Sequence, residues 1–409
     1  MAGKNLVSKY SENSYKKKFY SQTNDNYLNS NNLFPLPFSL WPYEGKLLFL
    51  FLGIWCVFGL FILGSASWWV ASKEMGDFTY YIKRQIIWYL PSLSIFYFIL
   101  KISIRDLLKI SKFIFYGMIL LVAGTILFGT TVNGSSRWLI LGPLQIQPSE
   151  LIKPFTILEA ANIFAHWNLV NNEKKIVSIT LFGLLIFLIM LQPNLSTAGL
   201  TGILLWIIAL CGGIRLKMLG TVASLGFISA YLSILRNEYQ RLRVISFLNP
   251  WEDANGNGYQ LIQSLLAIGS GGLFGQGYGL SMQKLQYLPI QSTDFIFAIF
   301  AEEFGLLGSI LLLGFLSIFS YLSLRIALNC RNNYTKLVAV GCGTSLLAQS
   351  LMHIAVTTGF MPTTGLPLPF VSYGGNSLLS SSIIASLLLR CSLESTGLVG
   401  ILRARKTLN

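Results

Sequence analysis

The sequence predicts an all-α polytopic membrane protein with about ten transmembrane helices and a large extracytoplasmic loop between the seventh and eighth. Three observations carry that prediction. Of the 409 residues 53% are hydrophobic and only 11% are charged, against roughly 25% charged in a soluble domain. The apolar residues fall into runs long enough to cross about 30 Å of hydrocarbon, which takes roughly 20 helical residues each. The bases behind the net charge of +14 gather in tails and alternate short loops. That positive-inside pattern argues against nucleic acid as a partner and for an anionic lipid surface.

Taken in order, the chain opens with a polar stretch containing Lys16, Lys17 and Lys18. It reads as a disordered cytoplasmic tail over 1–46, without a cleavable signal peptide. Apolar runs follow at 47–66, 85–100, 113–131, 150–166, 176–191, 197–214, 217–235, 295–324, 336–360 and 377–397. The second is short and carries Pro91; the fourth is weakly apolar, with Lys153 and Glu159 inside it. The eighth is long enough to tilt or to include an interfacial segment. A membrane domain thus covers 47–398, and 399–409 forms a cytoplasmic C-terminal tail.

Lys101 to Lys112, Lys174 and Lys175, Arg215 and Lys217, Arg325 to Lys336 and Arg403 to Lys406 fall on one side with the lysine-rich N-tail if the helix count is even. Both termini are therefore expected in the cytoplasm. The other side receives 67–84, 131–149, 192–196, 236–293 and 361–376. The loop over 236–294 is long for a structureless connection, which favours a functional role. No repeat at a fixed period is visible, which weakens the case for an inverted-repeat transporter.

The cysteines number only 5, sit in or beside apolar runs, and show no CxxC spacing; they read as small core residues. With only 16 acidic residues, candidates for proton transfer can be found by elimination. On the outer side only Glu150 and Asp294 stand where a loop meets an apolar run, and partial desolvation there raises a carboxylate toward a useful base. On a helix Asp294, Ala298 and Glu302 fall near one face, since residues four apart are neighbours. Glu302 and Glu303, inside that run, are either a functional site or partners of buried bases that fix helix packing. Ser149 is placed to cap the helix that carries Glu150.

Arg137, beside Trp138, fits either a phosphate or an anchor at headgroup level. Arg241 and Arg243 lie opposite the positive-inside surface, which suggests an anionic ligand such as a diphosphate, or a salt bridge to Glu252 or Asp253. The glycines from Gly269 to Gly277 lack the strand and helix context of a dinucleotide site and suit turning or close backbone approach. The stretch from Met361 to Asn376, rich in Pro and Gly, reads as a rigid re-entrant loop whose hydroxyls, Ser372 among them, either hold a sugar or phosphate or serve only as a plug.

These segments together resemble the SEDS family, the shape, elongation, division and sporulation proteins. The likeness runs from about Leu47 to Leu398. It rests on RW, GP and QPSE with Lys153 over 137–153, QP at 192–193, YQ-R at 239–241, GYQLIQS at 258–264, AIGSGGLFG at 267–275, TDFIFA and EE-G over 293–305, and MPTTGLPLPFVSYGG at 361–375. The resemblance implies a peptidoglycan glycosyltransferase that polymerises lipid II on the outer face of the plasma membrane, beside a class B penicillin-binding protein. It also implies that Asp294, in the TDF setting, is the essential aspartate. The stretch over 65–85 is more similar to the division branch than to the elongation branch, so a place at the division septum with other division proteins is expected. Two departures stand out: Asn194 occupies a position that is commonly aspartate, and Ser292 one that is often histidine.

On that resemblance, Asp294 is the base that takes the acceptor hydroxyl proton, and Arg137, Lys153, Arg241 and Arg243 are candidates for the lipid diphosphate. Glu150 is placed to position Lys153, three residues on along a helix. Direct displacement at the donor's anomeric carbon needs no second carboxylate as nucleophile. No cofactor is implied with certainty, and a divalent cation (Mg or Mn) stays open. The competing readings are a lipid II flippase built on Glu302 and Glu303, a non-catalytic scaffold and an elongation polymerase.

Overall fold

The computed structural model describes residues 38–132, 135–142, 144–285 and 287–395. The expected C-terminal tail, most of the N-terminal one, and Gln286 lie outside the described residues. The first helix, α1 (Tyr43–Met75), starts a few residues inside the stretch assigned to the tail and outlasts its apolar run, ending at Gly76 in the left-handed region. α2 (Tyr80–Lys101) and α3 (Ile104–Phe128) follow, the latter capped by Ser103, whose hydroxyl accepts from the Asp106 amide.

A small sheet comes next, in a stretch whose sequence shows only a loop. Strands β1 (Thr130–Val132), β2 (Ser135–Leu141) and β3 (Leu144–Ile146) form a small antiparallel sheet in the order β1-β2-β3. Trp138 stands opposite Thr130, and Leu139 opposite Ile146. Two of its strands have three residues each, too few for an alternating pattern to stand out.

The helices α4 (Pro148–Leu151), α5 (Lys153–Ala165), α6 (Asn172–Leu191), α7 (Leu195–Cys211), α8 (Leu216–Arg236), α9 (Glu238–Leu248) and α10 (Tyr259–Ser270) come next; α11 (Ile296–Asn329), α12 (Asn333–Thr357) and α13 (Gly375–Ser395) complete the described chain. Among the described residues each apolar run falls mainly in helix, the third running on into β1. Seven helices, namely α1, α3, α6, α8, α11, α12 and α13, are long and apolar enough to cross a membrane, while α2, α5 and α7 occupy the remaining three runs. No cysteine is in a disulfide, and Cys211 is exposed instead of packed.

Burial is unevenly shared. Only Leu219 of α8 is buried, so this helix presents almost its whole circumference outward. In α13, by contrast, 89% of the spanning stretch lies inside the protein. It packs on α1, α2, α4, α11 and α12 and buries Ser377, Ser380, Ser381, Ser386, Ser392 and Arg390. At its far end Arg390 donates to the Leu100 carbonyl at 2.7 Å and to Glu394 at 3.2 Å, and Glu394 accepts from the Ile104 amide.

α11 is not one helix. At Gly305 the backbone turns to φ 66° and ψ −162°, conformations that only glycine adopts readily. In an unbroken helix the carbonyls of Glu302 and Glu303 would accept from the amides of Leu306 and Leu307. Here they accept from Gln276 and Gly277, at 2.9 and 3.0 Å, while Leu306 and Leu307 donate to Gly272 and Leu273, at 2.9 and 3.1 Å. The glycine-rich segment after α10 thus replaces the helix's own hydrogen bonds. Close approach requires the glycines: a Cβ on Gly275, itself at φ +82°, would stand 2.1 Å from the Glu303 carbonyl oxygen.

Gly275→Ala therefore combines a backbone collision, typically 1–3 kcal/mol or more, with a left-handed penalty of about 1–2 kcal/mol. Gly279 has φ +81° with open space around its Cβ position, so Gly279→Ala should show only the second, smaller loss. Thermal melting of both variants in detergent checks the ranking.

Candidate functional site

Segments far apart in sequence meet at one end of the bundle around Asp294. This residue lies in the turn before α11 and not on the helix, whose N-cap is Phe295. The Asp294 amide donates to the Ile290 carbonyl at 3.2 Å, and the turn is strained at Ile290, φ +55°. The loop over 361–374 clasps it. Ser372 donates its hydroxyl to the Thr293 carbonyl at 2.6 Å and accepts from the Leu368 amide at 2.9 Å. The Tyr373 amide donates to the Ser292 carbonyl at 2.9 Å. Gly365, at φ +70°, brings backbone so near that a Cβ there would stand 3.4 Å from Asp294 Oδ2.

Two guanidinium groups complete the surroundings. Arg243, on α9, donates to the Thr363 carbonyl at 2.9 Å and lies 4.4 Å over the Tyr239 ring. Arg137, on β2, donates to the carbonyls of Gln192 and Pro193 at 3.3 and 2.5 Å. Carbonyls use only part of the five donors each guanidinium carries, which leaves donors for an anionic oxygen. Burial pushes the Asp294 carboxyl above the usual aspartate range, opposed by Arg243, the Thr293 hydroxyl and Arg137. Burial lowers Arg137 to about 10, still charged at neutral pH. The arrangement is a half-buried carboxylate with two guanidinium groups near enough to act on its charge.

The other sequence candidates fall into different places. Arg241 is exposed; at about 100° per residue it lies some 200° around α9 from Arg243 and so does not join the cluster. Lys153 and Glu150 pair at 2.7 Å with almost no exposed surface. Lys153 also donates to Gln349 at 2.8 Å, and Gln349 donates to the Pro367 carbonyl at 2.8 Å. This chain holds the 361–374 loop from beneath, with no face toward a ligand. Ser372 is likewise buried, and its hydroxyl is engaged on both sides. Ser149 does not cap its helix: Pro148 is the first helical residue and Gln147 the N-cap. Asn194 does cap α7, accepting from the Thr197 amide at 3.3 Å, a task that asparagine and aspartate perform equally well.

The intramembrane glutamates turn away from Asp294. Glu302 accepts from Ser281 and from the amides of Met282 and Gln283. Glu303 pairs with Lys284 at 2.8 Å, both side chains 1% exposed, and accepts from Ser65 at 2.5 Å. Sequence reasoning singled out neither Lys284 nor Gln291, Gln349 or Gln85, all of them buried. Gln85 brackets the loop from α2, donating to the Ser372 carbonyl at 3.4 Å and accepting from the Gly374 amide at 3.3 Å. For Gln349 and Gln85 the available signal was a polar residue inside an apolar run, which does not say what it faces; Lys284 and Gln291, in a polar loop, carried none.

Residues 45–397 match the family model for FtsW, RodA and SpoVE, described as cell cycle protein. A Mesostigma viride relative carrying the name peptidoglycan glycosyltransferase FtsW is 46% identical over 342 residues, 84% of this chain and 82% of that one. A Synechocystis relative of the same name is 45% identical over 87% of this chain and 91% of its own. Among solved structures, a chain from work on "structural coordination of polymerization and crosslinking by a peptidoglycan synthase complex" superposes with TM-score 0.71 at 26% identity, over 87% of this chain and 98% of that one. The rod shape determining protein RodA of Thermus thermophilus shares the fold, with TM-score 0.64 at 24% identity over 87% and 97% of the two chains.

Lys153→Met should destabilise the protein by about 3–5 kcal/mol, because it leaves Glu150 buried without its partner. Arg241→Gln, on an exposed face, should stay within about 0.5 kcal/mol of wild type. Unfolding of the two purified variants in detergent tests the contrast.

Proposed function

The chain belongs to the FtsW, RodA and SpoVE family of cell cycle proteins, and on that premise we propose that Asp294 is the base with which it polymerises glycan strands. It is a multi-pass membrane protein and a peptidoglycan glycosyltransferase of the division branch. The substrate in this reading is lipid II, a disaccharide peptide on a lipid diphosphate. The observation that carries the reading is the placement of Asp294, half-buried beside the Gly365 backbone and within the electrostatic reach of Arg243 and Arg137.

Each residue then has a role set by its surroundings. Asp294 takes the proton from the acceptor hydroxyl as that oxygen attacks the donor's anomeric carbon. Desolvation brings its pKa nearer to the operating pH, which favours proton transfer. Arg243 and Arg137 stabilise the charge that develops on the departing diphosphate. Their backbone carbonyl partners hold the guanidinium planes without neutralising them. Single displacement inverts the donor's α-linkage into a β-1,4 glycan, and one carboxylate suffices. Lys153 with Glu150, and Ser372, serve by holding the loop over Asp294; exposed Arg241 is left to meet anionic substrate as it approaches.

The same reading places the site on the outer face of the plasma membrane at the septum, with both termini cytoplasmic and 47–398 as the catalytic membrane domain. It gives the chain a cross-linking class B penicillin-binding protein as partner, in keeping with its likeness to a chain of a synthase complex. Transport of lipid II across the membrane is less well supported. Its charge site would be Glu302 and Glu303, and both are occupied by loop and lysine contacts.

Asp294→Asn should insert and fold normally yet lose about 10²–10⁴-fold in polymerisation of labelled lipid II, the usual worth of a general base. Near-wild-type glycan synthesis by this variant would remove Asp294 from the role. The pH profile supplies a second check. A base must be deprotonated, so activity falls as pH drops through its pKa, and burial places that limb above about pH 4, the ordinary aspartate value. Arg243 lowers the Asp294 pKa; Arg243→Gln should therefore shift the acid limb of kcat/KM to higher pH, beyond any loss in rate.

A further inference from the structure

Residues 284–285 and 287–294 lie in turns and bends, yet this segment must present a carboxylate in a fixed place. Its attachments are unusual. Lys284 sends its ammonium group inward, to Glu303 Oε1 at 2.8 Å on the first half of α11 and to Ser65 Oγ at 3.2 Å on α1. Ser65 also donates to Glu303, so three side chains from three places in the sequence close on one another. Gln291, three residues before Asp294, uses one amide nitrogen twice: it donates to the Lys284 carbonyl at 2.8 Å and to the Ala66 carbonyl at 3.2 Å. Lys284 is 1% exposed and Gln291 3%, so neither offers surface to a substrate.

We infer that Lys284 and Gln291 are positioning residues for Asp294, tying the 284–294 segment to α1 and to the first half of α11; the inference rests on Asp294 being the base. Stability alone is a poor account of the ion pair, because apolar replacements of buried pairs are often as stable. What an ammonium group adds is direction: its donors reach both α1 and α11 and set the distance between them at the root of the segment. Gln291 repeats the tie to α1 at the next residue, Ala66, close to the carboxylate. Ser372 and Tyr373 hold the same segment from the opposite side, through Thr293 and Ser292. Asp294 is thus clamped between two independent supports.

The test compares Lys284→Met/Glu303→Leu, which leaves no buried charge unpaired, with Gln291→Leu and Asp294→Asn. Each is purified with the partner penicillin-binding protein and assayed on labelled lipid II, with rates normalised to folded protein. A displacement of about 1 Å at a reacting centre costs up to 10²-fold. The double variant and Gln291→Leu should therefore lose about 10–100-fold in kcat, while KM for lipid II stays within about threefold. A merely structural role would lower the folded fraction and leave kcat per folded molecule unchanged. Wild-type kcat in both folded variants, or a raised KM at unchanged kcat, overturns the inference while Asp294→Asn stays inactive. If the double variant does not fold, Gln291→Leu decides alone. Wild-type activity in Asp294→Asn overturns the base assignment instead, so the two failures are separable.

Discussion

Backbone polar groups inside hydrocarbon have no water to bond, and each one left alone costs several kcal/mol. Much of the architecture around the site follows from how this constraint is met. A helix meets it within itself, but a helix also passes straight through. At Gly305 the chain breaks α11 and meets the demand with a second strand of backbone, running over 272–277. The break frees the first half of α11 to take its own direction, and it carries Glu302 and Glu303 to the loop residues they hold. Those loop residues lead straight to Asp294. A change in one backbone exchange would therefore be felt at the carboxylate through a short, fully bonded path.

The electrostatics of the site depend on a related economy. Asp294 is half-buried without being given a direct hydrogen-bonded ion pair among the described residues. The two nearby guanidinium groups are tied to carbonyls of Thr363, Gln192 and Pro193. A carboxylate locked to an arginine would be a poor base, because the pairing stabilises its ionised form. Holding the cations by backbone oxygens keeps the positive field in place and leaves the carboxylate responsive. The buried Glu150–Lys153 pair does the opposite: both charges are consumed in the protein, and what they deliver is the position of Pro367.

The parts legible in the sequence were those with local signals. Apolar runs located the helices, and elimination among few carboxylates narrowed the outer-face candidates to Glu150 and Asp294, between which the family resemblance chose. The glycine stretch over 269–277 read correctly as a place of close backbone approach, but nothing in it named Glu302 and Glu303 as the carbonyls approached. Lys284 illustrates the limit. A lysine in a polar loop is ordinarily exposed, and its burial depends on Ser65 and Glu303, contributed by distant parts of the chain. Arg241 and Arg243 show the same limit on a smaller scale: equal as residues, they were separated only by the phase of α9. Lys153 reads as a phosphate candidate because only Glu150, three residues away, is visible beside it in the sequence; Gln349, which completes its burial, comes from a distant helix. Three-residue strands could not be read because their pairing, and not their composition, defines them.

The deep burial of α13 has a consequence for how the molecule is built. It is the last described helix, and the hydroxyl groups and the arginine it buries make it a poor solute for lipid. Polar side chains of this kind enter a bilayer favourably only where protein receives them. Its groove, lined by α1, α2, α4, α11 and α12, is composed of segments synthesised earlier. The fold is thus closed by a helix that is surrounded by protein far more than by lipid. The Asn376 side chain, which donates to the Gln145 carbonyl at 2.8 Å, and Arg390, which seizes the Leu100 carbonyl, mark the two ends of that groove. Until both latches close, the 361–374 loop lacks the anchor that α13 gives it.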